Sequence, residues 1–197
     1  ANLMFPKAAG TFSCALNAPI TEQDTPHLYM LLRRAMMDAA TSTNKAKDHY
    51  MRTRPFAVNK APICPTGEGK PYLKGGSFPS GHTATGWAWA LILSEISPEQ
   101  TDAILARGRA FGESRLICNV HWQSDVIEGR FMGAATVARL HADPTFRADL
   151  EAAKAELAAV RAKGLKPLRD CGAESAAMAK RPPRRDRQEV SNQRLRH

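Results

Sequence analysis

Phe78-Pro79-Ser80-Gly81-His82-Thr83-Ala84-Thr85-Gly86-Trp87-Ala88-Trp89-Ala90-Leu91-Ile92-Leu93-Ser94-Glu95 is the stretch that decides how this chain folds. A segment punctuated by proline and glycine stops at Ser80-Gly81, and an Ala/Trp/Leu-rich run takes over. The pattern predicts a buried helix over Thr83 to Glu95. Ser-Gly at its start leaves the first backbone N–H groups, and the positive end of the helix dipole, open to an anion. Gly81 permits close backbone approach, Ser80 adds a hydroxyl donor, and His82 projects from the first turn.

Working outward, the chain reads as helical nearly throughout. Asp24-Thr25-Pro26 offers a capping side chain and a proline suited to a first helical turn. Beyond it, Leu28, Leu31, Leu32, Ala35, Met36 and Ala39 fall on one face at helical spacing. A break at Thr41 to Asn44 precedes a short helix over Lys45 to Met51. Residues 55–80 carry Pro55, Pro62, Pro65, Pro71 and Pro79 with four glycines, which predicts a long loop. Downstream, Ser97-Pro98-Glu99 opens a helix to Cys118, and another covers Trp122 to His141. Asp143-Pro144 caps a further helix from Thr145 to Lys163, and a short Ala-rich helix follows Cys171. There is no internal repeat and no strand pattern. The expected fold is all-α: a compact helical domain over 1–180, then a basic disordered tail over 181–197.

Bulk properties narrow the class. With 197 residues, 43% hydrophobic and 24% charged, the chain can bury one sizeable core. The longest apolar stretch, Trp87 to Leu93, is too short to span a membrane. Ala1 to Gly10 lacks the basic and apolar regions of a signal peptide, so the chain is read as cytosolic or as a processed mature form. Of the net charge of +9, the segment Lys180–His197 supplies seven basic against two acidic residues. A basic surface favours anionic partners, but such a tail is more commonly a solvated end than a nucleic-acid arm. Cys14, Cys64, Cys118 and Cys171 form no CxxC pair and no zinc-like spacing. They fit two disulfides in an oxidising compartment, with three connectivities open, or four buried thiols in a reducing one.

Three segments carry chemistry suited to phosphate. Lys47 and Arg54 are expected two turns apart on roughly one helix face, offering two cations from one side. Pro79-Ser80-Gly81-His82 supplies the helix N-terminus. Ser114-Arg115 precedes His121 in a turn, and Asp125, four residues later, is placed to hold one imidazole nitrogen. One histidine can attack and the other can move protons. The remaining histidines, His27, His49, His141 and His197, read as packing or surface groups, and Trp122 can line the mouth of a pocket.

Taken together, Lys-x6-Arg-Pro, Pro-Ser-Gly-His and Ser-Arg-x5-His-x3-Asp resemble the signature of the type 2 phosphatidic acid phosphatase (PAP2) superfamily. That superfamily includes bacterial class A non-specific acid phosphatases, lipid phosphatases and vanadium haloperoxidases. The likeness to the class A phosphatases extends through Asp48-His49-Tyr50-Met51-Arg52, Gly76-Ser77-Phe78 and Ile117–Asp125, and covers about Pro19 to Leu157. It implies hydrolysis of phosphate monoesters with broad specificity, without metal or other cofactor, through a phosphohistidine. His121 would be the nucleophile, Asp125 its orienting partner, and His82 the proton donor and later the base. Lys47, Arg54, Ser80, Gly81 and Arg115 would bind phosphate, and inorganic phosphate or vanadate would inhibit. The resemblance also implies a Cys64–Cys118 pair, which leaves Cys14 with Cys171. It implies a periplasmic or secreted protein with its signal peptide removed, and a longer N-terminal region than Ala1-Asn2-Leu3 begins. A homodimer stays open.

Two other activities compete. On the same site a haloperoxidase would hold vanadate, which the short chain and the closer likeness to acid phosphatases disfavour. From a different class, a nucleic-acid-binding protein would depend on residues 181–197 and bind DNA in a salt-sensitive way.

Overall fold

The computed structural model describes residues 3, 5, 7–64 and 75–179. Its α-helices run α1 (Ser13–Leu16), α2 (Pro26–Thr41), α3 (Asn44–Tyr50), α4 (Pro55–Asn59), α5 (Gly81–Ile96), α6 (Thr101–Ile117), α7 (Gln123–Leu140), α8 (Pro144–Ala162) and α9 (Cys171–Ala179). Among the described residues there is no strand, so the all-α expectation holds. No helix among them is long and apolar enough to cross a membrane.

α5 is the central element because nearly all of it is apolar or small. It packs on α6, α7, α2 and α8. The α5–α6 and α5–α7 contacts are close because glycines stand where side chains would collide. A Cβ on Gly108 would lie 2.6 Å from Ala90 Cβ, and one on Gly133 would lie 2.4 Å from the Ala84 carbonyl oxygen. Trp89, 1% exposed, fills the centre and donates its indole N–H to the Leu32 carbonyl at 2.8 Å. A buried Trp with a satisfied N–H contributes the large apolar area of an aromatic without an orphaned donor; truncating it to Ala costs about 3–5 kcal/mol.

Phe12 meets Trp89 edge-on at 6.2 Å and Phe111 at 6.5 Å. It lies in a 3-10 turn, Ala9–Phe12, that runs into α1. These N-terminal elements were not expected from the sequence, since four-residue helices show no periodicity. The disulfide Cys14–Cys171 joins α1 to α9, with Cα atoms 5.3 Å apart, and Cys64–Cys118 joins the segment after α4 to the end of α6, at 4.8 Å. These are the pairings the resemblance implies.

Three local expectations change. Asp24 does not cap α2; it accepts from the Thr21 hydroxyl. The N-terminus of α2 is instead capped from α8, where Glu156 accepts the His27 and Leu28 N–H groups at 3.0 and 2.9 Å. The loop expected over 55–80 begins with a helix, α4, because Pro55 occupies its first position, where no N–H is needed. Lys47 and Arg54 do not share a helix face: α3 ends at Tyr50, Met51 turns left-handed at φ +40, and Arg54 precedes α4. By contrast Asp143 caps α8 as expected, accepting from Thr145 N–H at 2.8 Å. Residues 65–74 of the loop and the basic tail over 181–197 lie outside the described residues.

Candidate active site

The site forms where the N-termini of α5 and α7 meet. Ser80 is the N-cap of α5; its Oγ accepts from Thr83 N–H at 3.3 Å and from the Thr83 hydroxyl at 2.9 Å. Its own backbone N–H donates to the Asp125 carbonyl at 2.9 Å. That bond fastens the first turn of α5 to the first turn of α7. Gly129, one turn further along α7, lets the backbones approach, since a Cβ there would be 2.6 Å from the Ser80 carbonyl oxygen.

His121 and Asp125 are 4% and 0% exposed. Asp125 Oδ2 lies 3.2 Å from His121 Nδ1 and accepts the Trp122 backbone N–H at 2.9 Å. A carboxylate facing Nδ1 fixes the proton there and leaves the Nε2 lone pair for chemistry. Nε2 lies 3.3 Å from Arg54 Nη1. Burial opposes ionisation of Asp125, but the His121 and Trp122 hydrogen bonds and the charges of His121 and Arg52 outweigh it and hold the carboxyl below its usual range. Burial also pushes His121 down to about 4; the Asp125 hydrogen bond resists, while Arg54 and Lys47 lower it further. Burial thus favours the neutral ring.

The cations reach the site from different elements. Lys47 Nζ, from α3, donates to the Gly76 carbonyl at 3.1 Å, and Arg54 Nη2 donates to the same oxygen at 3.3 Å. Arg54 Nη1 also donates to the Val120 carbonyl at 3.0 Å. Burial, then the charge of Arg54, lowers the Lys47 pKa to about 8. Lys47 Cε is 4.0 Å from where a Cβ on Gly81 would stand, so this lysine lies against the start of α5. Arg115, 1% exposed near the end of α6, faces His82. Burial first, then Arg115, His121 and Arg54, pushes His82 well below its ordinary value.

Lys47, Arg54, Gly81, His121 and Asp125 are thus linked by direct contacts, and His82 lies within electrostatic reach of Arg54, Arg115 and His121. Ser80 sits beside them with its oxygen engaged in capping. Ser114 faces elsewhere, donating back to the Phe111 carbonyl at 2.6 Å. Trp122 donates its indole N–H to the Thr53 carbonyl at 2.8 Å and packs under Arg52, whose guanidinium carbon is 5.6 Å from its ring centroid.

Two contributors have no role assigned by the sequence, although Gly76 and Asn119 fall in stretches shared with the class A phosphatases. Gly76 organises two cations with one carbonyl, and a Cβ there would stand 2.6 Å from the Lys47 carbonyl oxygen. Asn59 and Asn119 form a reciprocal amide pair at 2.8 and 2.9 Å, bracing the left-handed turn at Asn119 (φ +56) that leads into His121. The type of Asn119, which tolerates positive φ, hints at its turn.

Two arginines, a lysine, a helix N-terminus and an aspartate-held imidazole thus share one region of the fold. The PAP2 superfamily model matches residues 27–148, and the chain belongs to that superfamily. Among characterised proteins it is similar to a non-specific acid phosphatase of Providencia stuartii, 48% identical over 154 residues, covering 78% of this chain and 62% of the relative. It is also similar to an acid phosphatase of Zymomonas mobilis, 40% identical, covering 79% and 59%. A third is a non-specific acid phosphatase of Salmonella typhimurium, 43% identical, covering 76% and 60%. The chain spans about three-fifths of the length of these relatives.

Proposed function

We propose that this protein is a phosphatase that hydrolyses phosphate monoesters through a covalent phosphohistidine at His121. The observation that carries the proposal is the His121 geometry: Nδ1 held by Asp125, and Nε2 directed at the cationic cluster beside Arg54. The names of the similar proteins support the substrate class.

In the proposed first step, His121 Nε2 attacks phosphorus in line. The N–P bond forms, the ester P–O bond breaks, and His82 donates a proton to the departing alkoxide. The imidazolium at His121 keeps its Nδ1 proton on Asp125. In the second step His82 removes a proton from water, whose oxygen attacks phosphorus, and the N–P bond breaks to release phosphate. Lys47, Arg54, Arg115 and the Gly81 N–H balance the charge on the non-bridging oxygens, a task that rests on fixed electrostatics and positioning. Because these groups already neutralise the phosphoryl oxygens, no metal or other cofactor is assigned a role.

His82 has opposing demands. In the protein alone burial, and then the nearby cations, favour its neutral form, yet the first step needs a proton on it. A phosphate dianion reverses the local field, because it offsets Arg115 and Arg54 and favours the imidazolium. Substrate binding and proton uptake at His82 are therefore coupled. Broad specificity follows if recognition rests on the phosphate alone, and inorganic phosphate and vanadate are expected to compete for the site. Paired cysteines favour an oxidising compartment, periplasmic or secreted.

Rapid quench with labelled substrate tests the proposal. A phosphoenzyme that is labile in acid and stable in base is expected, formed equally well in excess chelator. Turnover without any such species, or turnover lost to chelator, contradicts it. His82→Ala is expected to slow esters with poor leaving groups by about 10²–10⁴-fold and activated esters much less. Equal losses on both would remove its role as an acid.

A further inference from the structure

We propose that Arg52 is a positioning residue for the His121–Asp125 pair: its guanidinium holds one oxygen of the buried carboxylate and so keeps the other turned onto the imidazole. The inference rests on the phosphohistidine reading above, and deepens it by assigning what sets the acid limit of the nucleophile.

Arg52 lies between α3 and α4 and is gripped at both ends. Its backbone carbonyl accepts the Ser77 N–H at 2.9 Å. Its Nη1 donates to Asp125 Oδ1 at 2.8 Å and to Ser124 Oγ at 2.6 Å, while the guanidinium rests over Trp122. The two carboxylate oxygens are thereby divided. Oδ2 takes the two N–H groups of the nucleophile turn, Trp122 N and His121 Nδ1, and Oδ1 takes Arg52. A carboxylate with no solvent exposure needs such compensation to remain ionised.

The charges facing the pair come from every element around it. They are Lys47 on α3, Arg52 and Arg54 in the segment before α4, and His82 on α5, with Asp48 acting in turn on Lys47 and Arg115 on His82. Lys47 and Arg54 disfavour a proton on His121, whereas Asp125 favours one. A cation on the far oxygen of Asp125 weakens that attraction. Removing it raises the proton affinity of the pair whichever atom takes the proton, so the sign of the effect is fixed. The Arg52 side chain is 38% exposed, which screens its charge; the expected shift is on the order of one pH unit, not several.

The test is an NMR titration of the His121 ring in histidine-labelled protein, assigned against His121→Gln, for the wild type, Arg52→Gln and Arg52→Lys. The pH dependence of kcat/KM on p-nitrophenyl phosphate is recorded alongside. Arg52→Gln is expected to raise the His121 midpoint, and the acid limb of kcat/KM, by on the order of one unit. Arg52→Lys, which keeps the charge, should stay near the wild type. An unmoved midpoint in Arg52→Gln, or equal shifts in Gln and Lys, overturns the proposal; activity lost evenly at every pH with the midpoint unmoved does the same. If Arg52→Gln does not fold, Arg52→Met keeps the stem over Trp122 without the charge and carries the same expectation. A wild type that forms no phosphoenzyme refutes the phosphatase reading instead, and the titration, which needs no turnover, still decides the role of Arg52.

Discussion

His121, Asp125 and Arg115 stand on or beside helices that meet α5 through glycines, whereas Lys47 and Arg54 stand on short segments joined through one carbonyl, that of Gly76. The first half of the site is positioned by close packing, where backbones touch and nothing can shift by a fraction of an ångström without a clash. The second half is positioned by hydrogen bonds from flexible side chains, which can be rearranged without disturbing the core. Nucleophilic chemistry demands the first kind of placement, and binding a charged group tolerates the second.

The comparison can be broken most severely at its rigid half. His121→Ala is expected to lower kcat on p-nitrophenyl phosphate by at least about 10³-fold, with a native helical circular dichroism spectrum. Turnover within tenfold of the wild type would remove His121 as the nucleophile. At the other half, Gly76→Ala places a methyl group 2.6 Å from the Lys47 carbonyl oxygen and shifts the shared acceptor. Displacing the cations by a fraction of an ångström should weaken phosphate inhibition by roughly 10–100-fold, alongside a stability loss of about 1–3 kcal/mol from the backbone clash. A large loss of stability with unchanged inhibition would show that Gly76 serves packing after all.

Gly133→Ala sharpens the contrast in the opposite sense. Its methyl group would press on the Ala84 carbonyl oxygen at 2.4 Å, one turn beyond Gly129, against backbone of Ala84 and Ala88 and not against a site side chain. The expected result is a loss of about 1–3 kcal/mol in denaturant unfolding, with kcat/KM of the folded fraction preserved.

The smallest effect is a titration. On the proposed reading Lys47 would bind phosphate as a cation, and burial lowers its pKa to about 8 in the protein alone. Phosphate affinity should therefore be full below that pH and fall as pH rises through it, by roughly tenfold, the worth of one charge-assisted hydrogen bond. Isothermal titration of inorganic phosphate between pH 6 and pH 10 measures the step, and Lys47→Met should abolish it. A step that survives the substitution would belong to another group.

Much of the site was legible because its motifs are local. Pro-Ser-Gly-His opens a helix for reasons contained in those four residues, and a carboxylate four positions after a histidine falls within one helical turn. Lys47 with Arg54 was legible as a pair of cations but not as geometry, since the left-handed Met51 ends the helix that was expected to carry both. Glu156 capping α2 across 128 residues, and Arg52 reaching Asp125 across 73, have no local counterpart in sequence.

Sequence alone determined the helical architecture and the family signature, and named the candidate site residues and the helix start beside them, because periodicity, capping and side-chain chemistry act over a few residues. Tertiary structure decided which oxygen of Asp125 each partner takes, that one carbonyl serves two cations, and that burial favours the neutral forms of His121 and His82 in the protein alone. Those properties depend on distances between segments and on exclusion of water, and neither exists until the chain has packed.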